Sequence, residues 1–444
     1  MDLRRALRVD AGSRVAFVGA GGKTTAMFQL AHQLPQPVLV TTTTHLGDWQ
    51  ISLADHHRIL DPNDVSWIDE IAEHNSGIWL LTGPLTGAHR FTGPSSKSLA
   101  QIRCAAEGHN WPVLIEADGS RQKPIKMPAD YEPAIPDWVN HVVVVCGLSG
   151  LNKPLSADWF HRSELATELL KLESGSALTA DHLTAILTHP LGGLKNIPVG
   201  CQRSVLLNQA DELEDKPILG ELPKQLTSAY HRAFTASLKQ KVVGPVCERT
   251  AAVILAAGAA SRFGAPKVLL NWDGIPFIRR VALTALESGL EPVVVVLGSN
   301  DAQIRPALND LNVVVIHNSE WQTGQSSSVR LGVLLAEKYG CGGAGFLLAD
   351  QPQVTTSLIN SLIDLRTRTL AAITAPMIAG RRGNPVIFDQ SLFDALAALQ
   401  GDAGGRLLFP SHPIEYLPWE DEAMLLDVDT MADYETLQSI YSKR

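Results

Sequence analysis

Residues 251–267 read AAVILAAGAASRFGAPK, and this stretch decides the fold of the second half of the chain. Its apolar start is typical of a strand that is covered on both faces. The small residues around Gly258 follow, so that backbone amides can approach a triphosphate without obstruction by Cβ atoms. Arg262 and Lys267 add positive charge that can neutralise the β- and γ-phosphates. We therefore predict a strand followed by a phosphate-binding loop, rather than an ordinary turn with solvated cations.

A carboxylate follows a second apolar run of this half. Asp350 comes directly after residues 346–349, which are predicted to form a strand. Ligands of open α/β sheets bind at the carboxyl ends of the strands, and Mg²⁺ prefers oxygen ligands. We therefore predict that Asp350 holds Mg²⁺; the alternative is a capping role for the helix after Pro352.

The stretch from Leu255 to Lys267 resembles the signature LAAGxSxRxGxxK of the molybdenum cofactor nucleotidyltransferase family. The resemblance extends over residues 251–440, because further motifs of the family occur in the expected order. They are Gly324-Gln325-Ser326-Ser327-Ser328, Asp350-Gln351-Pro352, Gly383-Asn384-Pro385, Gly401 to Arg406, and Asp427-Val428-Asp429-Thr430. In order and spacing, this half is therefore similar to that family throughout.

The resemblance implies transfer of a nucleoside monophosphate from an NTP to a phosphate-bearing acceptor, with release of pyrophosphate. Such an acceptor is already ionised, so positioning and charge neutralisation suffice for catalysis. Ala256-Ala257 resembles the cytidylyltransferase subgroup, which implies CTP as the substrate. The implied residues are Arg262, Lys267 and Asp350 for catalysis; Leu255, Ala256, Ala257, Gly258, Ser261, Gly264, Ser326 and Ser327 for the nucleotide; Asp350 and Asp429 for Mg²⁺; and Asn384, Asp402 and Arg406 for the acceptor. Two alternatives remain open: a helix cap for Asp429, and a local Asp402–Arg406 salt bridge.

The first half contains a second strand, glycine turn and predicted helix. The strand at 15–18 leads into Gly19-Ala20-Gly21-Gly22-Lys23-Thr24-Thr25. Backbone amides, a lysine and a threonine in this order can hold phosphate oxygens and Mg²⁺. Only two residues separate Gly19 from Gly22, whereas the usual phosphate loop has four. We predict an ATP or GTP site formed by Gly19, Gly21, Gly22, Lys23, Thr24 and Thr25, with the Thr24 hydroxyl on the metal.

Three further positions of the first half are candidates for the same site. Asp118 follows the strand at 113–115 and is predicted to hold the metal. Asn208-Gln209-Ala210-Asp211 resembles the element with which GTPases read guanine, with Asn208 and Asp211 as the contacts; a simple helix cap is the alternative. His45 is interpreted as a helix-capping or core residue rather than as a ligand.

In this half, VGAGGKTT, Thr41 to His45, Glu116 to Arg121, Lys126 and Glu132 to Pro136 resemble the selenium-dependent hydroxylase accessory proteins over about residues 10–225. That resemblance implies a P-loop fold. Together the two halves imply a fused protein of molybdenum cofactor maturation. Its partners would be a molybdopterin-type cofactor and a recipient molybdenum hydroxylase of the xanthine dehydrogenase type.

Length and composition bound these interpretations. The 444 residues predict two or three domains, and the Gly244-Pro245 breaker suggests a boundary that gives domains 1–246 and 247–444. We predict an α/β fold with two three-layer α/β/α domains, the first P-loop NTPase-like and the second a Rossmann-like (GT-A-like) nucleotidyltransferase. The net charge of −9 argues against nucleic acid. The absence of a long apolar run argues against a membrane span, and five scattered cysteines with no signal-like N-terminus predict a cytoplasmic protein.

Two other functions fit the sequence. The second half could transfer a nucleotide to a different acceptor, such as a sugar phosphate or an isoprenoid-precursor phosphate. Alternatively, the whole chain could be a cofactor chaperone in which the nucleotide acts only as a conformational switch.

Overall fold

The structure is a computed structural model that describes residues 1–87, 89–213, 217–258, 266–428 and 430–441. The chain divides into two compact units, Met1–Cys247 and Glu248–Arg444. Among the helices in these ranges, none combines the length and the apolar character that crossing a membrane requires.

The first unit is built around one large sheet with the strand order β14-β13-β12-β10-β1-β8-β2-β5-β4. Its strands are β1 (Arg14–Gly19), β2 (Val38–Thr42), β3 (His45–Gly47), β4 (His56–Ile59), β5 (Ile78–Thr82), β6 (Leu85–Thr86), β7 (Arg90–Thr92), β8 (Val113–Glu116), β9 (Ile125–Lys126), β10 (His141–Gly147), β11 (Phe160–His161), β12 (Gln202–Asn208), β13 (Arg232–Ser237) and β14 (Val242–Cys247). Its helices are α1 (Leu3–Leu7), α2 (Lys23–Ala31), α3 (Ser66–His74), α4 (Ser96–His109), α5 (Ser163–Leu170), α6 (Ala180–Thr188) and α7 (Ile218–Leu226).

Helices cover both faces of this sheet. Ala16 and Val18 of β1 lie in one apolar cluster with α3, α4, α6 and α7. Helix α2 contacts β1 and β8, and its buried Met27 and Leu30 lie outside that cluster. The residues of β1 are therefore buried on both faces, as their continuous apolar run predicts.

The second unit has the strand order β19-β18-β15-β20-β23-β21-β22, with β24 paired to β21. Its strands are β15 (Thr250–Ala256), β16 (Asn271–Trp272), β17 (Ile275–Pro276), β18 (Val293–Leu297), β19 (Val314–His317), β20 (Gly343–Leu348), β21 (Ile373–Ile378), β22 (Arg381–Arg382), β23 (Val386–Asp389) and β24 (Ile414–Pro418). Its helices are α8 (Phe277–Leu286), α9 (Asp301–Ile304), α10 (Gln325–Lys338), α11 (Thr356–Thr369), α12 (Phe393–Ala397) and α13 (Met431–Tyr441).

Alternate residues of β15 face opposite layers of this unit. Ala251 and Val253 pack with residues of α10 and α12, whereas Ala252 and Ile254 pack with residues of α8 and α11. A strand has a side-chain period of two, so each face of the sheet buries its own helices. The unit is therefore a three-layer α/β/α arrangement.

The predicted α/β class is confirmed, and the structure adds that the two large sheets are not wholly parallel. Strand β14 runs antiparallel to β13, and β23 runs antiparallel to both β20 and β21. The connections from β13 to β14 and from β21 to β23 are too short for a helical crossover, which returns the chain in the opposite direction.

Candidate functional site

A cleft of about 730 Å³, the second-unit cleft, lies where β15 and β20 end. Four of the predicted nucleotide-binding residues line it, namely Leu255, Ala256, Ala257 and Gly258. Among the described residues, no atom lies within 4 Å of the position that a Cβ of Gly258 would take. The cleft is therefore open beside the backbone of this turn, as an approaching phosphate requires.

Lys267 and Asp350 meet in this cleft. The Lys267 Nζ lies 2.7 Å from the Asp350 Oδ2, and the two side chains are 17% and 29% exposed. Asp350 follows β20, and the neighbouring β15 ends at the loop that leads to Lys267. The pair thus places a cation and a carboxylate at the carboxyl edge of the sheet.

Asp350 does not cap the next helix. Helix α11 has Thr355 as its N-cap, with the Thr355 side chain accepting from the Leu358 amide. The adjacent Gln351 instead donates from its Nε2 to Asp427 Oδ1 at 2.7 Å. Asp427 is an exposed carboxylate of the Asp-Val-Asp motif, and this bond holds it beside Gln351, the residue that follows Asp350. The motif predicted Asp429, rather than Asp427, as the metal ligand.

The serines of the GQSSS motif have different positions from those predicted. Ser326 and Ser327 are 2% and 3% exposed and do not line the cleft, whereas Ser328 does. Ser327 Oγ donates to the Glu320 carbonyl and accepts from Asn318. Both serine side chains are therefore occupied inside the fold, and the nucleotide contact of Ser326 and Ser327 stays a prediction.

Gly324 explains why the start of α10 is covered. Its φ is +112°, and a Cβ at this position would lie 2.3 Å from the carbonyl carbon of Gly401. The backbone of Gly401 and Asp402 therefore packs directly on the first turn of α10. Asp402 also accepts a 3.4 Å hydrogen bond from the Gln325 amide.

The predicted acceptor-side residues are only partly brought together. Asp402 lines the second-unit cleft, whereas Asn384 and Arg406 do not. Arg406 is exposed and forms no ion pair within the residues that the structure describes, so the alternative of an Asp402–Arg406 salt bridge is wrong. Four predicted residues, Ser261, Arg262, Gly264 and Asp429, lie outside the described residues.

A larger cleft of about 1030 Å³, the first-unit cleft, surrounds the glycine loop of the first unit. Gly21, Gly22, Lys23, Thr24 and Thr25 line it. Gly19 lies behind the loop with φ of +95° and lines a separate small cavity. A Cβ on Gly21 would lie 2.4 Å from the Gly147 nitrogen, so only glycine allows this tight turn.

The phosphate-loop lysine is buried and paired. Lys23 is 3% exposed; its Nζ donates to the Gly19 carbonyl at 2.7 Å and lies 3.1 Å from Asp118 Oδ1. Asp118 is 2% exposed, accepts from the Gly19 amide at 2.9 Å, and lies 2.9 Å from the Lys126 Nζ. Two lysines and an amide surround its carboxylate, so Asp118 acts here as a counter-ion, and its role as a metal ligand stays a prediction.

Glu116 occupies the place expected of the metal ligand. It ends β8, lines the first-unit cleft, and accepts a 3.2 Å hydrogen bond from the Thr24 hydroxyl. Burial raises the pKa of Glu116 above its usual range, and the nearby charge of Lys23 opposes that shift. A buried carboxylate beside a hydroxyl is a set of oxygen donors that a hard divalent cation would stabilise.

Asn208 connects the loop to the strand end beside it. Its Nδ2 donates to the Gly21 carbonyl at 2.7 Å, and its Oδ1 accepts from the Leu238 amide at 3.0 Å. Asp211 lines the first-unit cleft and accepts from Gln240 Nε2. Asn208 is thus more than the cap of a helix, because it fixes the glycine loop.

A chain of buried charges continues from Asp118. Lys126 Nζ lies 2.8 Å from Glu132 Oε2, and the same oxygen lies 2.7 Å from the Arg162 Nη1. Burial alone would raise the pKa of Glu132, but the bonds from Arg162 and Lys126 outweigh it and lower the pKa to about 2.

His45, predicted to cap a helix or to lie in the core, is instead exposed in β3 and lines the first-unit cleft.

The first half matches a known family. Residues 15–164 match the YqeC protein family. The protein named "Uncharacterized protein YqeC" from Escherichia coli (strain K12) is 31% identical over 235 residues, which cover 50% of this chain and 87% of that relative.

The second half matches another family. Residues 252–415 match the MobA-like NTP transferase domain. The purine catabolism protein PucB from Bacillus subtilis (strain 168) is 31% identical over 43% of this chain and 96% of its own length. Nicotine blue oxidoreductase from Paenarthrobacter nicotinovorans is 30% identical, with 40% and 91% covered. Molybdenum cofactor cytidylyltransferase from Escherichia coli (strain K12) is 26% identical, with 43% and 96% covered.

Both resemblances predicted from the motifs are thereby confirmed. The chain belongs to the YqeC family through its first half and to the MobA-like NTP transferases through its second half, and it is a nucleotidyltransferase.

Proposed function

We propose that the second unit transfers CMP from CTP to the phosphate of a molybdopterin-type cofactor and releases pyrophosphate. The observation that carries this proposal is the Lys267–Asp350 pair, which lies in the cleft beside the open Ala257-Gly258 turn. Two observations support CTP and a molybdenum cofactor as the substrates. The second unit is similar to a molybdenum cofactor cytidylyltransferase, and it has Ala256-Ala257 before the first glycine of the motif.

The residues of the second-unit cleft have separate tasks in this transfer. The amides around Gly258 hold phosphate oxygens, because within the part of the chain that the structure describes no atom crowds the Gly258 backbone. Lys267 neutralises charge that develops on the departing pyrophosphate. Asp402, at the rim, orients the acceptor. The acceptor phosphate is already ionised at neutral pH, so its attack on the α-phosphorus needs no protein base.

Asp350 in this cleft, and Asp427, which lies outside its lining but is bonded to the neighbour of Asp350, fit a magnesium ion. Asp350 shares one carboxylate oxygen with Lys267, and Asp427 is oriented by the bond from Gln351. Both offer only oxygen atoms, which are the ligands that Mg²⁺ prefers. Bound there, Mg²⁺ would supply further positive charge to the triphosphate. Asp350 and Asp427 are therefore the residues that would hold it.

The first unit, in this proposal, binds ATP or GTP. Gly21, Gly22 and Lys23 form the phosphate cradle, and Glu116 with Thr24 offers the oxygen donors for Mg²⁺. Its nucleotide cycle would assist the maturation of a molybdenum hydroxylase that receives the cofactor. The fusion of the two units in one chain keeps their ligands at a high effective concentration.

Pyrophosphate release from the full-length protein tests the proposal. CTP with purified molybdopterin should give turnover, and omission of molybdopterin should abolish it. Equal or faster release with GTP would overturn the choice of CTP. Release with a sugar phosphate or an isoprenoid-precursor phosphate, but not with molybdopterin, would replace the acceptor. No release with any acceptor would favour the chaperone function.

A further inference from the structure

The first-unit cleft extends well beyond the glycine loop. Its volume of about 1030 Å³ is at the upper end of the roughly 300–1,000 Å³ that single-ligand pockets span. Two aromatic side chains line it and remain open to solvent: Trp49 is 58% exposed and Tyr131 is 77% exposed. Exposed aromatic faces in a cleft are suited to stack on a planar ring.

Cationic side chains converge on the same cleft. Arg121, His161 and Arg162 all line it. Burial lowers the pKa of His161, and the positive charges of Arg162, Lys126 and Arg121 lower it further, which indicates that these groups are neighbours. Arg121 is exposed, so its guanidinium is available to an incoming anion. Carboxylates also line this cleft, and one of them, Glu132, pairs with Arg162, which leaves Arg121 as the cation offered to a ligand.

Arg162 connects the cations to the aromatic residues. Burial opposes its charge, but bonds to Glu132 and Tyr131 outweigh burial and raise the pKa of its guanidinium. Arg162 therefore stays charged at every physiological pH, with the ring of Tyr131 beside it. A planar anion placed here would meet both a ring and a positive charge.

The backbone around the cleft is in unusual conformations. Among the described residues, fifteen that are not glycine have a positive φ, and five of these line the first-unit cleft: His89, Arg121, Gln122, Arg162 and Gln209. Arg121 and Gln122 are consecutive, with φ of 49° and 61°. Residues other than glycine rarely adopt this backbone conformation. Such strain is concentrated at functional sites, where particular side chains must be held in place.

We propose that the first-unit cleft binds a second small ligand beside the nucleotide: an anion that carries a planar ring. Arg121 holds its negative charge and Trp49 stacks on its ring. Arg162 and Tyr131 form the far wall of this subsite. The inference rests on the proposed nucleotide site only in that the glycine loop is assigned to the triphosphate, which leaves this wall for another molecule.

Binding of two probes to the full-length protein tests this subsite. Pterin-6-carboxylate and CMP both combine a planar ring with negative charge, and each is titrated by calorimetry into protein saturated with Mg²⁺ and the non-hydrolysable analogue AMPPNP. We expect at least one probe to bind in the presence of AMPPNP. The probe that binds more tightly indicates whether the ligand is of the pterin or the nucleotide type. Inorganic phosphate, which has no ring, should not compete.

Two variants locate the binding. Arg121→Gly removes the guanidinium at a position whose φ glycine adopts without strain, and Trp49→Leu removes the ring. Each should weaken the subsite about tenfold, as the loss of one charge-assisted or stacking contact does, while AMPPNP affinity is unchanged. Arg103→Ala, an exposed arginine of α4 paired with Glu107, is the matched control.

The number of bound probes separates this inference from the proposed function. A probe bound in the second-unit cleft keeps its affinity in Arg121→Gly, whereas a probe bound in the first-unit cleft binds about tenfold more weakly, so the two sites are read independently. If AMPPNP fails to bind, the nucleotide assignment is wrong, while the probe affinities of the variants still report on the subsite. The subsite is overturned if neither probe binds, if AMPPNP displaces the probe, if phosphate competes equally, or if both variants bind as the wild type does.

Discussion

The lysines that line the two clefts, Lys23 and Lys267, have opposite environments. Lys23 is 3% exposed and lies between the Gly19 carbonyl and Asp118, whose carboxylate also meets Lys126. Lys267 is 17% exposed and pairs with Asp350, which is itself 29% exposed. Both lysines follow a strand and a glycine-containing turn. Lys23, however, lies in a buried charge network, whereas Lys267 lies in a partly exposed ion pair.

This difference separates stability from activity. A buried charge that loses its partner leaves the other partner uncompensated in a medium of low dielectric. A half-exposed pair costs little when it is broken, because water replaces the partner. Substitutions around Lys23 should therefore affect the folding of the first unit, whereas substitutions around Lys267 should affect turnover in the second.

The largest effect should come from Asp118→Ala. The change leaves Lys23 and Lys126 without their shared counter-ion, and we expect the free energy of unfolding of the first unit to fall by about 3–5 kcal/mol. Urea unfolding of the full-length protein measures it. Asp137→Ala, at an exposed position, is the control and should stay within about 0.5 kcal/mol of the wild type. A loss of less than 1 kcal/mol for Asp118→Ala would contradict the network.

Asp350→Asn should give the second-largest effect. It keeps the shape of the side chain but removes the charge that faces Lys267 and the proposed metal, so kcat for pyrophosphate release should fall by about 10²–10³-fold. Unfolding by urea should be nearly unchanged. Asp394→Asn, an exposed carboxylate of α12, is the control. Turnover of Asp350→Asn at the wild-type rate would remove Asp350 from the site.

Glu116→Gln distinguishes the two acids that follow the first phosphate loop. If Glu116 and the Thr24 hydroxyl hold the metal, the variant should weaken the Mg²⁺ dependence of ATP or GTP binding by about 10–100-fold. Titration of Mg²⁺ into the nucleotide-bound protein measures this shift. Glu73→Gln on α3 should behave as the wild type does. An unchanged Mg²⁺ dependence in Glu116→Gln would show that another residue, not Glu116, holds the metal.

The smallest effect concerns the pH dependence of stability through Glu132. Its folded-state pKa is about 2, below an unfolded value near 4.3, so its contribution is present above pH 4.3 and is lost as the pH falls towards 2. At pH 7, the free energy of unfolding of Glu132→Gln should be about 1.5 kcal/mol lower than that of the wild type. Urea unfolding between pH 3 and pH 7 should show the gap narrowing below pH 4.3; a constant gap would contradict the prediction.

The sheets could be predicted because their strands are continuous apolar runs. Residues 15–18 and 251–254 are buried, and short apolar runs that are bounded by turn signals are typical of strands covered on both faces. The antiparallel direction of β23 could not be read from its composition, because direction depends on the length and path of the connection before it.

The candidate site was only partly predictable, for a similar reason. Asp350 comes directly after a strand of the central sheet, so the topology alone brings it towards Lys267. Glu116 and Asp118 are two residues apart at the end of β8, and only the buried positions of Lys23 and Lys126 determine which carboxylate is neutralised. The burial of Ser326 and Ser327 could not be predicted, because the loop at Gly401 that packs on the start of α10 is distant in the sequence.

A crystal structure of the protein with Mg²⁺ and a non-hydrolysable CTP analogue would locate the triphosphate in the second unit. We predict that it lies along the Leu255 to Gly258 turn, with the Lys267 Nζ beside the β- and γ-phosphates and the Asp350 carboxylate on the metal. A triphosphate bound elsewhere in the second unit, with Lys267 still paired to Asp350, would contradict it.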